Sequence, residues 1–204
     1  MAYYTPGYQR AIEELSKLPG IGPKSAEKLA DHILHLKPDY FDQFMDVLES
    51  MRKNVHPCKR CFNLTEGSFC SICSDPSRDP HTICVVEKAK DVLAIEKTSS
   101  FKGMYHVLEG SINPLNGIGP EKVRIKELFE RIHQEPIQEI ILALNFSQAG
   151  DLTCMYIIHQ LKQASIKITR LASGIPTGTD IEFADSKTLQ AAFKGREKYE
   201  MEDL

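Results

Sequence analysis

The chain has 204 residues and a mass of 23.0 kDa, enough for one large domain or two to three small ones. With 42 % hydrophobic and 26 % charged residues it has the composition of a folded globular chain, which excludes general disorder. A net charge of −3 and an isoelectric point near 6.2 exclude a nucleic-acid partner held by bulk charge alone, so such a contact needs a local motif or several copies acting together. The longest unbroken apolar run, Ile140 to Leu144, is too short to span a bilayer. The opening residues MAYYTPGYQR place no apolar stretch behind a basic one, which reads as no secretory signal and a soluble, cytoplasmic protein.

Residues 1–55 read as helical, because Ile12, Leu15, Leu18, Ala26, Leu29, Ala30, Ile33, Leu34, Phe41, Phe44, Met45 and Leu48 recur at three-to-four spacing. Pro19-Gly20 and Lys37-Pro38-Asp39 break the stretch into three helices. Residues 56–76 carry a cysteine cluster with little hydrophobic periodicity. From residue 80 the pattern alternates: strands at Thr82–Glu87, Met104–Leu108, Gln138–Leu144 and Lys167–Leu171, with helices around 89–98, 121–132 and 151–163. That alternation predicts an α/β fold with a mostly parallel sheet covered by helices. A tail from Gly174 opens on turn residues (Gly174, Pro176, Gly178) and offers a short helix at Ser186–Phe193, then the charged, frayed end EKYEMEDL. The tetrapeptide GIGP occurs at 20–23 and 117–120, but its surroundings differ, so no internal repeat is assigned.

In the first block, Leu18-Pro19-Gly20-Ile21-Gly22-Pro23-Lys24-Ser25-Ala26 joins two amphipathic helices. Glycine permits dihedrals closed to other residues and lets another backbone come close. Pro23 suits a first helical turn, whose free N–H groups and dipole favour an anion such as a DNA phosphate, and Lys24 and Lys28 fall one turn apart on the same helix. Leu18, Gly20, Ile21, Gly22 and Ala26 match the pattern of the helix-hairpin-helix motif, which this segment resembles. Seven basic residues against eight acids in 1–55 mean that one copy binds DNA weakly. The plain alternative is a simple connection between two helices.

Cys58-Lys-Arg-Cys61, eight residues, and then Cys70-Ser-Ile-Cys73 have the spacing of a four-cysteine zinc site. Four thiolates satisfy a tetrahedral Zn²⁺ and leave no position for water, so the ion is expected to be structural, replacing the core that some 20 residues cannot bury. Two local disulfides or unrelated thiols are the alternatives. Lys59 and Arg60 would offset the charge of the site. His56 and His81 flank it as spare ligands or, since four thiolates suffice, as bystanders, the reading preferred here, and Cys84 and Cys154, in apolar stretches, read as buried thiols.

The first predicted strand of the α/β block ends in Glu87, and carboxyl ends of parallel strands are where ligand sites gather. The third runs into Asn145-Phe146-Ser147-Gln148-Ala149-Gly150-Asp151. The arrangement resembles a Toprim domain, whose catalytic members hold Mg²⁺ with a glutamate after the first strand and an Asp-x-Asp after the third. Glu87 matches the glutamate, but the Asp-x-Asp slot reads Ala149-Gly150-Asp151, so one carboxylate is missing and catalysis is not expected. A solvated strand end and a helix first-turn acid are the bland readings of Glu87 and Asp151, and a protein-docking surface is the intermediate one. Phe146 suits a partner or core contact.

Taken in order, helix-hairpin-helix, four-cysteine zinc site, Toprim and Gly/Pro-rich tail resemble the RecR family of recombination mediators along essentially the whole chain. LPGIGPKSAEKLA (18–30), CKRCFNLTEGSFCSIC (58–73), ICVVEKAKDVLAIEKT (83–98), GSINPLNGIGPEKVRIKEL (110–128) and RLASGIPTGTDIEFADSKTLQAAFKGR (170–196) carry the likeness. The resemblance implies four regions: 1–55 for DNA binding, a 56–76 zinc finger, an 80–173 Toprim domain and a 174–204 tail used in assembly. It implies a non-enzymatic homotetrameric ring that clamps DNA and works with RecO and RecF to help load RecA at gaps. Gly20, Gly22, Lys24 and Lys28 would meet DNA, Cys58, Cys61, Cys70 and Cys73 would hold one zinc, and Glu87 and Asp151 would mark the surface that meets RecO. Family members usually carry a more acidic stretch, preceded by Asn-Pro, where this chain has 145–151. A Mg²⁺-dependent Toprim nuclease or primase-like enzyme is the rival reading, and a zinc-ribbon interaction module is a third.

Overall fold

The computed structural model describes residues 4–196; the predicted fraying of EKYEMEDL lies outside them. The chain divides into two compact units, residues 1–55 and 56–204. The first holds helices α1 (Pro6–Ser16), α2 (Pro23–Leu34) and α3 (Pro38–Asn54). Each opens on a proline in its first turn, where the missing N–H costs nothing and the fixed φ suits the helix. Ala26 and Ala30, one turn apart on α2, are its buried residues, and their small side chains let α1 and α2 approach closely. Helix α3 buries no residue, so Phe41, Phe44, Met45, Leu48 and Met51 remain exposed at helical spacing.

The second unit begins with the antiparallel pair β1 (His56–Pro57) and β2 (Leu64–Thr65) and the short helix α4 (Ser71–Ser74). Four strands follow: β3 (Asp79–Val86), β4 (Gly103–Val107), β5 (Glu139–Ala143) and β6 (Lys167–Arg170), with helices α5 (Ala89–Glu96), α6 (Ile125–Gln134), α7 (Gln148–Gln160) and α8 (Ser186–Lys194). All strand pairs in this sheet are parallel, in the order β4-β3-β5-β6, which bears out the α/β reading. Helix α6 starts later than periodicity suggests, because Pro120–Lys122 closes a single 3-10 turn first.

Side chains alternate across β3 and so divide two cores. Ile83 and Val85 join Met104, Ile140, Leu142, Leu128 and Ile157 on one face. Cys84 and Val86 face the other way, with Tyr105, Val107 and Val92, and this second core also contains Cys58, Cys61 and Cys70. The cysteine motif is therefore packed against a face of the sheet. Because successive strands are added on opposite sides of β3, the carboxyl ends of β3 and β5 lie side by side at a switch in strand order, where open parallel sheets place ligands.

Candidate metal centre and nucleic-acid interface

The sulfurs of Cys58, Cys61, Cys70 and Cys73 all lie within 4.8 Å of one another. A tetrahedral ion at the usual Zn–S length of about 2.3 Å needs sulfurs about 3.8 Å apart, so the donor set fits Zn²⁺. The motif is built from local bonds: the Cys58 N–H donates to Asn63 O (2.7 Å), the Phe62 N–H to Cys58 O (3.0 Å) and the Cys70 N–H to the Cys58 sulfur (3.3 Å). Hydrogen bonding from Cys61, then Cys73, holds the Cys70 thiol well below its ordinary pKa, and the bond to Cys70 pushes Cys61 up. His56 and His81 turn away to the carbonyls of Pro57 and Pro136 and stand outside the cluster. Cys84 and Cys154 are buried thiols, as read from the sequence.

The centre is tied to the sheet at its edge. The Val107 N–H of edge strand β4 donates to Cys61 O at 2.8 Å. Arg60, between the first two cysteines, forks onto Glu135 at the end of α6 (2.9 and 3.0 Å), which also accepts from Arg131 Nε (3.0 Å). Despite its burial, these guanidinium groups hold the Glu135 carboxyl below the usual range. Arg131 in turn donates to Tyr105 O at 2.6 Å from inside the core. Arg60 thus faces Glu135 as well as the thiolates, whereas Lys59 is exposed. Phe62 adopts φ +62°, a left-handed conformation costing about 1–2 kcal/mol outside glycine. Its ring packs edge-on to His106 (5.4 Å) and under Arg124 (4.9 Å), contacts that hold the strained turn in place. His106 is fully buried, its Nε2 bonded to Arg124 O (2.7 Å) and its Nδ1 without a partner. Burial lowers its pKa to about 4, so it stays neutral.

At the carboxyl end of β3, Glu87 is only 8 % exposed. Its Oε1 accepts the Asn145 N–H and its Oε2 accepts Asn145 Nδ2, both at 2.8 Å. The solvated strand end is therefore corrected: Glu87 latches the loop that follows β5. Gly150 is required there, since a Cβ would collide with the Asn145 carbonyl. Asp151 sits in the first turn of α7, as its sequence position suggests, paired with Arg170 at 2.7 Å and within 3.8 Å of Lys187 Nζ. Phe146 is 54 % exposed beneath the Arg170 guanidinium (4.6 Å), which rules out the core contact. With Ala149 in place of an acid and both remaining carboxylates engaged, the residues do not fit a Toprim magnesium centre. Asn145, Arg170 and the Arg60–Glu135–Arg131 chain have no motif to announce them. Only the four-residue spacing of Arg131 on α6 and Glu135 at its C-cap was a usable signal.

In the first unit, Gly20 takes φ +81°, which explains a glycine there. Gly22, the N-cap of α2, has φ −84°, open to any residue, and a Cβ on it would meet nothing within 4 Å. No side chain caps α2 and no acid occupies its first turn. Lys24 and Lys28 border one shallow hollow, beside Glu27 and Asp31.

These features define a modular α/β protein: a glycine-turn helix pair, a four-thiolate zinc site and a Toprim-type sheet with its acids closed. Family models match in the same order: the RecR helix-hairpin-helix at 8–52, the RecR four-cysteine zinc finger domain at 55–75, the Toprim domain at 81–172 and the RecR C-terminal region at 174–197. The chain is 50 % identical to recombination protein RecR of Paenarthrobacter aurescens, over 95 % of this chain and 97 % of the relative. It is 45 % identical to the RecR proteins of Rubrobacter xylanophilus (96 % and 98 % covered) and Moorella thermoacetica (97 % and 100 %). The chain belongs to the RecR family of recombination proteins, and its four-cysteine cluster is that family's zinc site. Among the described residues no helix is long and apolar enough to cross a membrane.

Proposed function

We propose that this chain is a non-enzymatic mediator of recombinational DNA repair, a homotetrameric ring that clamps DNA without reading its sequence. The region 1–55 binds phosphates, 56–76 is held by zinc, 80–173 is the Toprim scaffold, and the tail from 174 serves assembly. The observation that carries the reading is the bare N-terminus of α2. Gly22 is a glycine with no demand for one inside the chain, and it stands before uncapped N–H groups and next to Lys24 and Lys28. Close approach of a phosphate backbone accounts for it. The apolar face of α3 supports self-association, and several copies offset the weak charge of each.

RecO-like and RecF-like proteins are the partners in this reading, helping RecA load at single-stranded gaps. Asp151 contributes to the partner surface, and Glu87 acts there by fixing the 145–151 loop. Lys24→Glu with Lys28→Glu is expected to lower affinity for a gapped duplex at least tenfold and to flatten its dependence on salt. Unchanged affinity at low salt would leave no role for this turn in DNA binding.

A further inference from the structure

A groove separates the zinc motif from α5. Its floor is Ile72 and Val92, and its walls are Leu64, 57 % exposed on β2, and Leu93, 59 % exposed on α5. Two large leucines facing water across an apolar floor are a surface shaped for an apolar anchor. The lining has two charged residues, Lys90 and Glu96, and among the described residues only Glu96 is held in an ion pair. Lys90 lines the groove, and Lys97, seven residues after Lys90 and four after Leu93, falls on the same helical face. Among the described residues neither lysine, nor Lys88, has an ion-pair partner.

The acids of α5 are already engaged. Asp91 accepts the Lys88 N–H at 2.8 Å. Glu96, the one carboxylate of the lining, is gripped by Arg78 and accepts the Tyr105 hydroxyl at 2.7 Å. We propose that this groove docks an acidic peptide segment of a partner protein, one bearing leucine or aromatic anchors between its carboxylates. The anchor enters between Leu64 and Leu93, and carboxylates meet Lys90 and Lys97. Apolar walls favour a peptide over a phosphate chain, which gains nothing from leucine. Ile72 belongs to α4, the short helix that Cys70 caps and that carries Cys73, so the floor depends on the zinc-held turn.

The test uses the zinc-loaded full chain to select 12-residue peptides from a random display library, with Leu93→Glu and Lys90→Glu/Lys97→Glu in parallel. These residues are exposed, and zinc content and melting temperature verify that the variants fold. The expected result is enrichment of peptides rich in Asp and Glu around Leu or Phe. A synthetic copy should bind the unmodified chain at least tenfold more tightly than either variant and should shift amide resonances of residues 63–64, 71–72 and 89–97. Enriched peptides without acidic excess, or equal binding to all three proteins, overturn the proposal. So does a gapped DNA duplex whose affinity falls with the lysine reversals but not with Leu93→Glu, because the groove then serves phosphates.

Discussion

The four thiols and the two Toprim carboxylates of the second unit are both clusters of metal-type donors, yet only one is open to a cation. The sulfurs converge on each other, with a backbone N–H reaching Cys58 and the nearby Arg60 guanidinium committed to Glu135. The carboxylates are met from within: Glu87 by both N–H donors of Asn145, Asp151 by Arg170 and Lys187. Residue type and spacing nominate a metal site, but internal partners decide whether it can take an ion. Donors left facing one another need a cation, while donors already satisfied exclude it.

The largest effect that sharpens this contrast is loss of zinc. Chelation, or Cys61→Ser, is expected to unfold 56–76 at a cost of about 5 kcal/mol or more, in keeping with structural zinc energies. Because Cys61 O holds the Val107 N–H and three ligands share a core with Tyr105 and Val107, amide exchange should also accelerate in β4. Exchange confined to 56–76 would mean that the zinc motif is merely appended to the sheet.

His106, whose ring packs against Phe62 of the zinc motif, is a donor with no internal partner at Nδ1. Its folded pKa of about 4 lies below the unfolded value near 6.5. The unfolded chain therefore takes up a proton that the folded one refuses, and stability falls as pH drops from 6.5 towards 4, by about 3 kcal/mol in all. His106→Gln, which can still donate to Arg124 O, should remove that fraction of the pH dependence. Denaturant unfolding of both proteins at saturating zinc isolates it, and parallel curves would show that His106 does not titrate as its burial implies.

Glu87→Gln comes next and changes sign with the interpretation. A latch loses a charge-assisted bond to Asn145, so the variant should be less stable by about 1–3 kcal/mol. A carboxylate held in wait for a cation would instead be relieved by neutralisation, and the protein would gain stability. Thermal melts in the presence of a chelator too weak to strip the zinc distinguish the two.

What the sequence discloses follows the range of the forces involved. Both GIGP segments fold alike: Gly20 and Gly117 take φ +81° and +65°, Gly22 and Gly119 are extended caps, and Pro23 and Pro120 open the next turn. Yet the first feeds a twelve-residue helix, while the second stops after one 3-10 turn, where Lys122 reaches the Gly117 carbonyl at 2.7 Å and the Glu121 carboxylate lies over Gly119. Local geometry was legible from four residues, and so were the strands, the helices and the zinc ligands, whose spacing is itself local. The engagement of Glu87 by Asn145, 58 residues away, was not, because it exists only once β3 and β5 are paired. The same is true of Arg170 over Phe146.

Arg170→Ala is the mildest probe and the one that locates the closure. The Arg170–Asp151 pair is about one-third exposed on each side, and such pairs contribute about 1 kcal/mol or less, so the melting temperature should barely move. If the carboxylate site is closed by its whole construction, the variant still takes up no Mn²⁺ at millimolar concentration, because Ala149 supplies no ligand and Glu87 remains bound to Asn145. If Mn²⁺ binding appears, read by the loss of its free electron-paramagnetic-resonance signal, then one guanidinium was standing where the ion would go. The difference between the two clusters would then rest on a single side chain rather than on the fold of the loop.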